Sequence, residues 1–240
     1  MFELGMSMIT DICQMHLLLV SATDFEIAET RKFLESDQEM KGIEIDILCA
    51  GVGILSTCYA LTRKIIEKNP DLILQGGIGG CIYPGQIGKS FAIISEKIAD
   101  LGVTEYGQFK SIFDLKLEDK DNFPFEDGWL INPNQNLIQL TGLEQAKGIT
   151  VNEITTDRQK LNAFKQNPGD TVVESMEGAA FHFVCLQEKI PFIQVRTVSN
   201  EMGERDKSKW KLQESIKNLN HDLISILQKI NAAHENDFRL

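Results

Sequence analysis

Residues 16–29 read HLLLVSATDFEIAE, and the change of period inside them decides the fold. The apolar run 17–20 suits a strand buried on both faces, and the segment that follows, DFEIAETRKFLE (24–35), has helical spacing. The pair then repeats. IEIDILCA (43–50) reads as a strand, ILSTCYALTRKIIEK (54–68) as a helix and DLILQGG (71–77) as a strand ending in a glycine-rich turn. Downstream, strands are expected at 90–100, 148–152, 171–173 and 192–199, and helices at 155–166, 177–189 and from Asp206 to Ile230. The polar stretch 101–136 is a long excursion near the site. Such alternation predicts an α/β fold of three αβα layers around a central mixed, mostly parallel twisted sheet, with ligands bound at the carboxyl ends of its strands.

The chain has 240 residues, 42% hydrophobic and 25% charged, enough for one domain over 15–240 behind a loose extension at 1–14. A net charge of −11 repels phosphate backbones and anionic lipid, which leaves a small molecule as the natural partner, with no nucleic acid and no membrane. The amino terminus carries neither a basic region nor a long apolar run, and the five scattered cysteines lack a CxxC pair; both features point to the cytoplasm.

The expected strand ends gather SATDFE (21–26), GVG (51–53), GGIGG (76–80), NEIT (152–155), ESMEG (174–178) and SN (199–200). Asp24 suits a helix cap, and Glu26 and Glu177 each suit a helix start as dipole acids. Arg196 does not fit so simply. It puts a full charge into the apolar strand FIQVRTVSN (192–200), where an unpaired guanidinium costs several kcal/mol, so acids at the same sheet edge should meet it. GGIGG lets backbone N–H groups approach a ligand. GVGILS has Ser56 where a third dinucleotide-binding glycine would stand, no P-loop lysine follows GGIGG, no metal-ligand spacing is present, and His182 reads as a core residue; no cofactor and no metal are expected. Two carboxylates beside polar donors suit cleavage of a glycosidic bond.

VSATDFEI, GVGILSTCYAL, PDLILQGGIGGCIYPGQIG, VTEYGQF and ESMEGAAFHFVCLQEKIPFIQVRTVSN together resemble the nucleoside phosphorylase and nucleosidase family, over roughly residues 15–230. The tail SNEMGERDKSKW is most similar to that of the family's futalosine-hydrolysing branch. The resemblance implies a cytoplasmic enzyme, a homodimer or larger homo-oligomer, that takes a purine nucleoside and releases hypoxanthine from futalosine on the route to menaquinone. It assigns the catalytic set to Glu26, Arg196 and Asn200, with Glu26 holding the attacking water. Gly77, Ser175, Met176, Glu177 and Ser199 would line the substrate, Glu177 taking the ribose hydroxyls, and Ile154 and Thr155 would flank the base. Arg205, with Lys207 and Lys209, either meets the benzoate of futalosine or is simply a solvated start to the last helix. Tyr106 or Phe109 would cross into a neighbour's site.

Asn200 departs from the aspartate of adenine-releasing relatives. An amide can donate to O6 of a 6-oxopurine and accept from a protonated N7, although Asn also ends strands in turns. The rival readings are a methylthioadenosine, adenosylhomocysteine or inosine nucleosidase, a phosphorylase, and a sensor without turnover. An acidic turn at Glu26 disfavours a phosphate nucleophile.

Overall fold

The computed structural model describes residues 14–36, 40, 42–165 and 171–236. The expected extension at 1–14 lies outside these apart from Gln14, as does Gln166 at the end of an expected helix. Strand β1 (Met15–Ser21) is buried on both faces, as its unbroken apolar run requires. Leu17 and Leu19 pack with α1 (Asp24–Ser36) and the last helix, α6 (Leu212–Glu235); Leu18 and Val20 pack with α2 (Ile54–Lys68) and α5 (Gly178–Glu188). Two helical layers therefore sandwich the sheet. Helix α2 stops at Asn69, whose left-handed backbone (φ 45) returns its N–H to Ile65 before Pro70.

The sheet is mixed and mostly parallel. β2 (Ile43–Cys49), β1 and β3 (Leu72–Cys81) run parallel, and β10 (Phe192–Glu201) continues parallel along the far edge of β3. β4 (Ser90–Ile98) joins β10 antiparallel, β8 (Glu144–Thr150) and β9 (Val172–Ser175) follow in parallel, and β9 returns antiparallel to β3. Five strands thus close a ring, which the alternation of strand and helix along the sequence does not specify. Cys81, Phe91, Ile93, Ala146, Val173 and Val198 come from all five of them and form one apolar cluster.

The near edge of β3 is shared in an unusual way. β1 pairs with Leu72–Gln75 and β9 with Gly80 and Cys81, so the two strands part over residues 76–79. This gap opens at the glycines. GGIGG is consequently not a turn, as expected, but the second half of β3, held extended by β10 along its whole length. Glycine is needed there for close approach: a Cβ at Gly77 would collide with Arg196 Nη1, and one at Gly80 would lie 3.1 Å from Asn200 Nδ2.

Other boundaries shift for similar reasons of pairing. β10 runs to Glu201, so Asn200 lies inside a strand rather than ending it. β8 starts at Glu144, four residues before the expected strand, because β4 templates it. The expected helix over 155–166 is reduced to α4 (Arg158–Phe164), and the last helix is preceded by a 3-10 turn at Lys207–Lys209 capped by Asp206. The excursion after β4 carries the hairpin β5 (Gly102–Glu105) and β6 (Gln108–Ser111), the short β7 (Leu130–Ile131) on β4, and leads into α3 (Gln135–Thr141). It lines a hollow with Lys97, Asp157 and Lys160.

Leu223 of α6 is fully buried in the cluster that joins β1, β3 and β10. Truncation by Leu223→Ala is expected to cost about 2–5 kcal/mol of stability, read as a lower urea midpoint at unchanged slope. An unchanged midpoint would show that α6 does not hold the sheet.

Candidate functional site

Three chain segments converge where β1 and β9 part. Immediately after β1 the chain turns into α1, and Glu26 in its first turn is buried beside the uncovered length of β3. Its Oε2 accepts from Ser21 Oγ (3.0 Å), Thr23 N (3.1 Å) and Thr23 Oγ1 (3.0 Å), while Oε1 accepts from Ile78 N (3.2 Å). The carboxylate is thereby fixed in one orientation. Asp24 instead turns outward and pairs with Arg31 at 2.8 Å.

Arg196 is only 2% exposed, and its charge is met as the sequence requires. Nη1 lies 3.4 Å from Glu177 Oε2 and Nη2 donates to Gln75 Oε1 at 3.2 Å. A Cβ at Gly77, beside that same Nη1, would lie 3.5 Å from Glu26 Oε1, so the guanidinium and the first acid flank one glycine. Glu177 occupies the N-cap position of α5 without capping it. Its Oε1 accepts from Gly53 N (3.2 Å), drawing the loop before α2 onto the site. Met176, half-buried, precedes it, and the buried Ser175 accepts from Gly178 N at 3.3 Å.

Farther along β3, β10 bulges between Val198 and Asn200. Val198 packs inside the ring and Met202 packs outside it with Ile82, Ile149 and Val172. Strict alternation would leave Asn200 on the inner side; the extra residue, Ser199, swings it to the outer one. Asn200 Oδ1 accepts from Ser199 Oγ (2.8 Å) and Nδ2 donates to Glu201 O (3.0 Å), while Ser199 also reaches Gly79 O at 3.2 Å. Each amide atom keeps one further hydrogen-bonding position.

The loop after β8 is held by two acids. Asp100 accepts from Asn152 N and Glu153 N, and Glu174 of β9 accepts from Thr155 N at 3.3 and 3.4 Å. Thr155 is buried and Ile154 half-buried. Burial pushes the Glu174 carboxyl above its ordinary value. Arg205 is exposed, its guanidinium 5.9 Å from the Trp210 ring centre, and Lys209 is paired with Glu204 at 2.6 Å. Only Asp206 of that segment behaves as a cap.

The sequence reading missed a second polar layer. Glu96 is fully buried on β4, where it accepts from Gln194 Nε2 (2.9 Å) and Thr150 Oγ1 (3.0 Å); burial pushes its carboxyl up to about 7. Beside Gln194, His182 sets Nδ1 2.9 Å from Leu130 O and packs on Phe192 at 4.7 Å, and burial lowers it to about 4. The signal was available: SFAIISEK places an acid in an apolar strand as FIQVRTV places a base. At the opposite end of β1, His16, Glu44 and Asp46 come within reach of one another, but Asp46 already takes Lys68 at 3.1 Å.

Residues 30–230 match the family model described as the phosphorylase superfamily. The chain is 28% identical to the futalosine hydrolase of Thermus thermophilus over 83% of its own length and 89% of the relative's. It is 24% identical to the 5'-methylthioadenosine/S-adenosylhomocysteine nucleosidase of Bacillus subtilis, over 79% of this chain and 87% of that one. Among solved structures, the futalosine hydrolase of Helicobacter pylori superposes with a TM-score of 0.75 at 14% identity, covering 90% of this chain and 98% of that one.

Glu96 and His182 generate opposite pH dependences of stability. Glu96 keeps its proton in the folded chain up to about pH 7, whereas the unfolded chain releases it near 4.5, so its contribution declines as pH rises across that window. His182 stays neutral down to about pH 4 while the unfolded chain protonates near 6.5, so its contribution declines as pH falls. Each amounts to about 3 kcal/mol. Relative to the native chain, Glu96→Gln should become more stable with rising pH and His182→Gln less, measured by urea unfolding from pH 4.5 to 7; parallel curves would refute both assignments.

Proposed function

We propose that this chain, which belongs to the phosphorylase superfamily, is a nucleosidase that hydrolyses futalosine to dehypoxanthine futalosine and hypoxanthine, a step on the route to menaquinone. Water attacks C1′ of the ribose and the bond from C1′ to the purine nitrogen breaks. Glu26, fixed at the open edge of β3, orients that water and takes its proton. The oxygen becomes the anomeric hydroxyl, and the base leaves with the bonding electrons and gains a proton. Glu177 accepts from the ribose hydroxyls, each charge-assisted bond worth roughly 1.5–3 kcal/mol, with Met176 against the sugar. Arg196 acts on Glu177, setting its orientation through the 3.4 Å ion pair.

Hydrolysis is favoured over phosphorolysis by the acidic first turn. Glu26 stands there, and a carboxylate repels a phosphate dianion while it orients water.

The observation that carries the choice of base is Asn200. The futalosine hydrolase and the 5'-methylthioadenosine/S-adenosylhomocysteine nucleosidase are 28% and 24% identical to the chain, so side chains at the base end must separate the two readings. With Oδ1 and Nδ2 anchored by Ser199 and Glu201, the amide offers its remaining N–H to O6 and its remaining lone pair to N7–H. A 6-aminopurine would oppose donor to donor. Such a buried mismatch is worth up to about 10⁴-fold in discrimination. Ser199 positions the amide, Ile154 and Thr155 flank the base, and Arg205 at the exposed rim is suited to the benzoate.

A homodimer fits the surface. Leu55, Tyr59 and Ile66 recur at helical spacing along one exposed side of α2, Val52 is exposed just before it, and the exposed Tyr106 projects from the β5–β6 turn. No helix among the described residues is long and apolar enough to cross a membrane, and with the composition this supports a cytoplasmic enzyme.

Free base should be followed with futalosine, inosine and methylthioadenosine, each with and without phosphate. Hypoxanthine from futalosine without phosphate is expected; release of adenine alone, or strict dependence on phosphate, overturns the reading. Glu26→Gln is expected to lower kcat by at least about 10²-fold with binding retained. Asn200→Asp should move the ratio of kcat/KM toward 6-aminopurines, and an unmoved ratio would remove Asn200 from base selection.

A further inference from the structure

The start of α5 has a need that Glu177 does not meet. A helix leaves the N–H groups of its first turn without partners inside it, and an N-cap side chain ordinarily accepts from the second or third residue. Glu177 stands at the N-cap position, yet its carboxylate faces Arg196 and Gly53 N instead. The N–H of the second residue, Ala179, is taken by Thr150 Oγ1 at 2.7 Å. Thr150 ends β8 and is fully buried. The cap of α5 is therefore supplied from another element.

A hydroxyl that accepts from Ala179 must direct its own proton elsewhere, and Glu96 Oε2 receives it at 3.0 Å. Glu96 is in register with Gly148, two residues before Thr150 on β8. Its carboxyl lies against Gly148 and Gly178, and a Cβ on either would collide with it. The glycine that follows Glu177 in ESMEG thus admits a second acid to the foot of the helix. Gln194 Nε2 holds the other Glu96 oxygen at 2.9 Å. Burial keeps the proton on Glu96 up to about pH 7, so below that it brings no charge to compete with Glu177 for Arg196.

We infer that Thr150 is a positioning residue for the ribose acid: oriented by Glu96, it caps α5 in place of Glu177 and so leaves the Glu177 carboxylate free to accept from the ribose hydroxyls. Without that hydroxyl, the N–H of Ala179 would compete with Arg196 and the substrate for the carboxylate two residues before it. This inference rests on the reading of Glu177 given above.

The test compares turnover of futalosine with binding of free hypoxanthine, which has no ribose, by calorimetry. Thr150→Val keeps the shape of the side chain and removes the hydroxyl. It should lower kcat/KM for futalosine about 10-fold and leave the Kd of hypoxanthine within about 2-fold, and Thr150→Ser should restore turnover. In a Glu177→Ala background Thr150→Val should cost nothing further, because the carboxylate it frees is gone. Glu96→Met removes the acceptor that orients the hydroxyl and should show the same selective loss. Glu96→Gln should reverse it, since its amide can accept from Thr150 Oγ1 and donate to Gln194 Oε1, an atom without a partner among the described residues. No loss in Thr150→Val, equal losses for nucleoside and base, or the same loss with Glu177 replaced would mean that Thr150 only supports the fold; each overturns the inference and leaves the ribose assignment in place. Futalosine turnover absent in the native chain, or unchanged by Glu177→Ala, would overturn the reading of Glu177, and this inference with it.

Discussion

One buried charge organises the site. The guanidinium of Arg196 sits in the middle of β10 with almost no exposure, and at an unpaired cost of several kcal/mol it dictates what surrounds it. Gln75 must come from the neighbouring strand and Glu177 from the start of α5, and residue 77 must have no side chain. Because Glu177 also takes the amide of Gly53, the same charge indirectly sets the loop that begins α2. Four elements are tied to one side chain, and the acid assigned to the ribose is oriented as a result.

The second constraint is topological. β3 is longer than either strand on its near edge, so β1 covers its beginning and β9 its end. Between them the backbone needs partners that a strand does not supply, and Ile78 N finds one in Glu26. An acid is thus held at the stretch of that edge left uncovered between β1 and β9. This links the backbone accounting of the fold to the placement of the group assigned to the water.

The base end is built differently, by a one-residue irregularity. The bulge at Ser199 turns Asn200 out of the ring and onto the face it shares with Glu174. In the proposed reading, discrimination between purines falls to a few side chains at this end, where a misplaced donor or acceptor is costly. Behind these, Glu96, Gln194 and His182 form a buried polar layer whose two titrating members oppose each other in pH dependence.

The sequence by itself determined the alternation of strand and helix, the two-faced burial of β1, and the need for acids around Arg196, because apolar period and the cost of a buried charge are local facts. FIQVRTVSN alone announced that something must neutralise its base, and ESMEG and SATDFE were the acids available at strand ends. Only the tertiary structure decided that Glu177 and Gln75 meet Arg196 while Glu26 binds the backbone of β3, since that depends on where β1 and β9 part. It also decided that GGIGG is strand and not turn, and that Asn200 and Glu174 flank Gly80. Register, bulges and ring closure arise from pairing between segments well separated along the chain, and a period read along one segment carries no information about its partner.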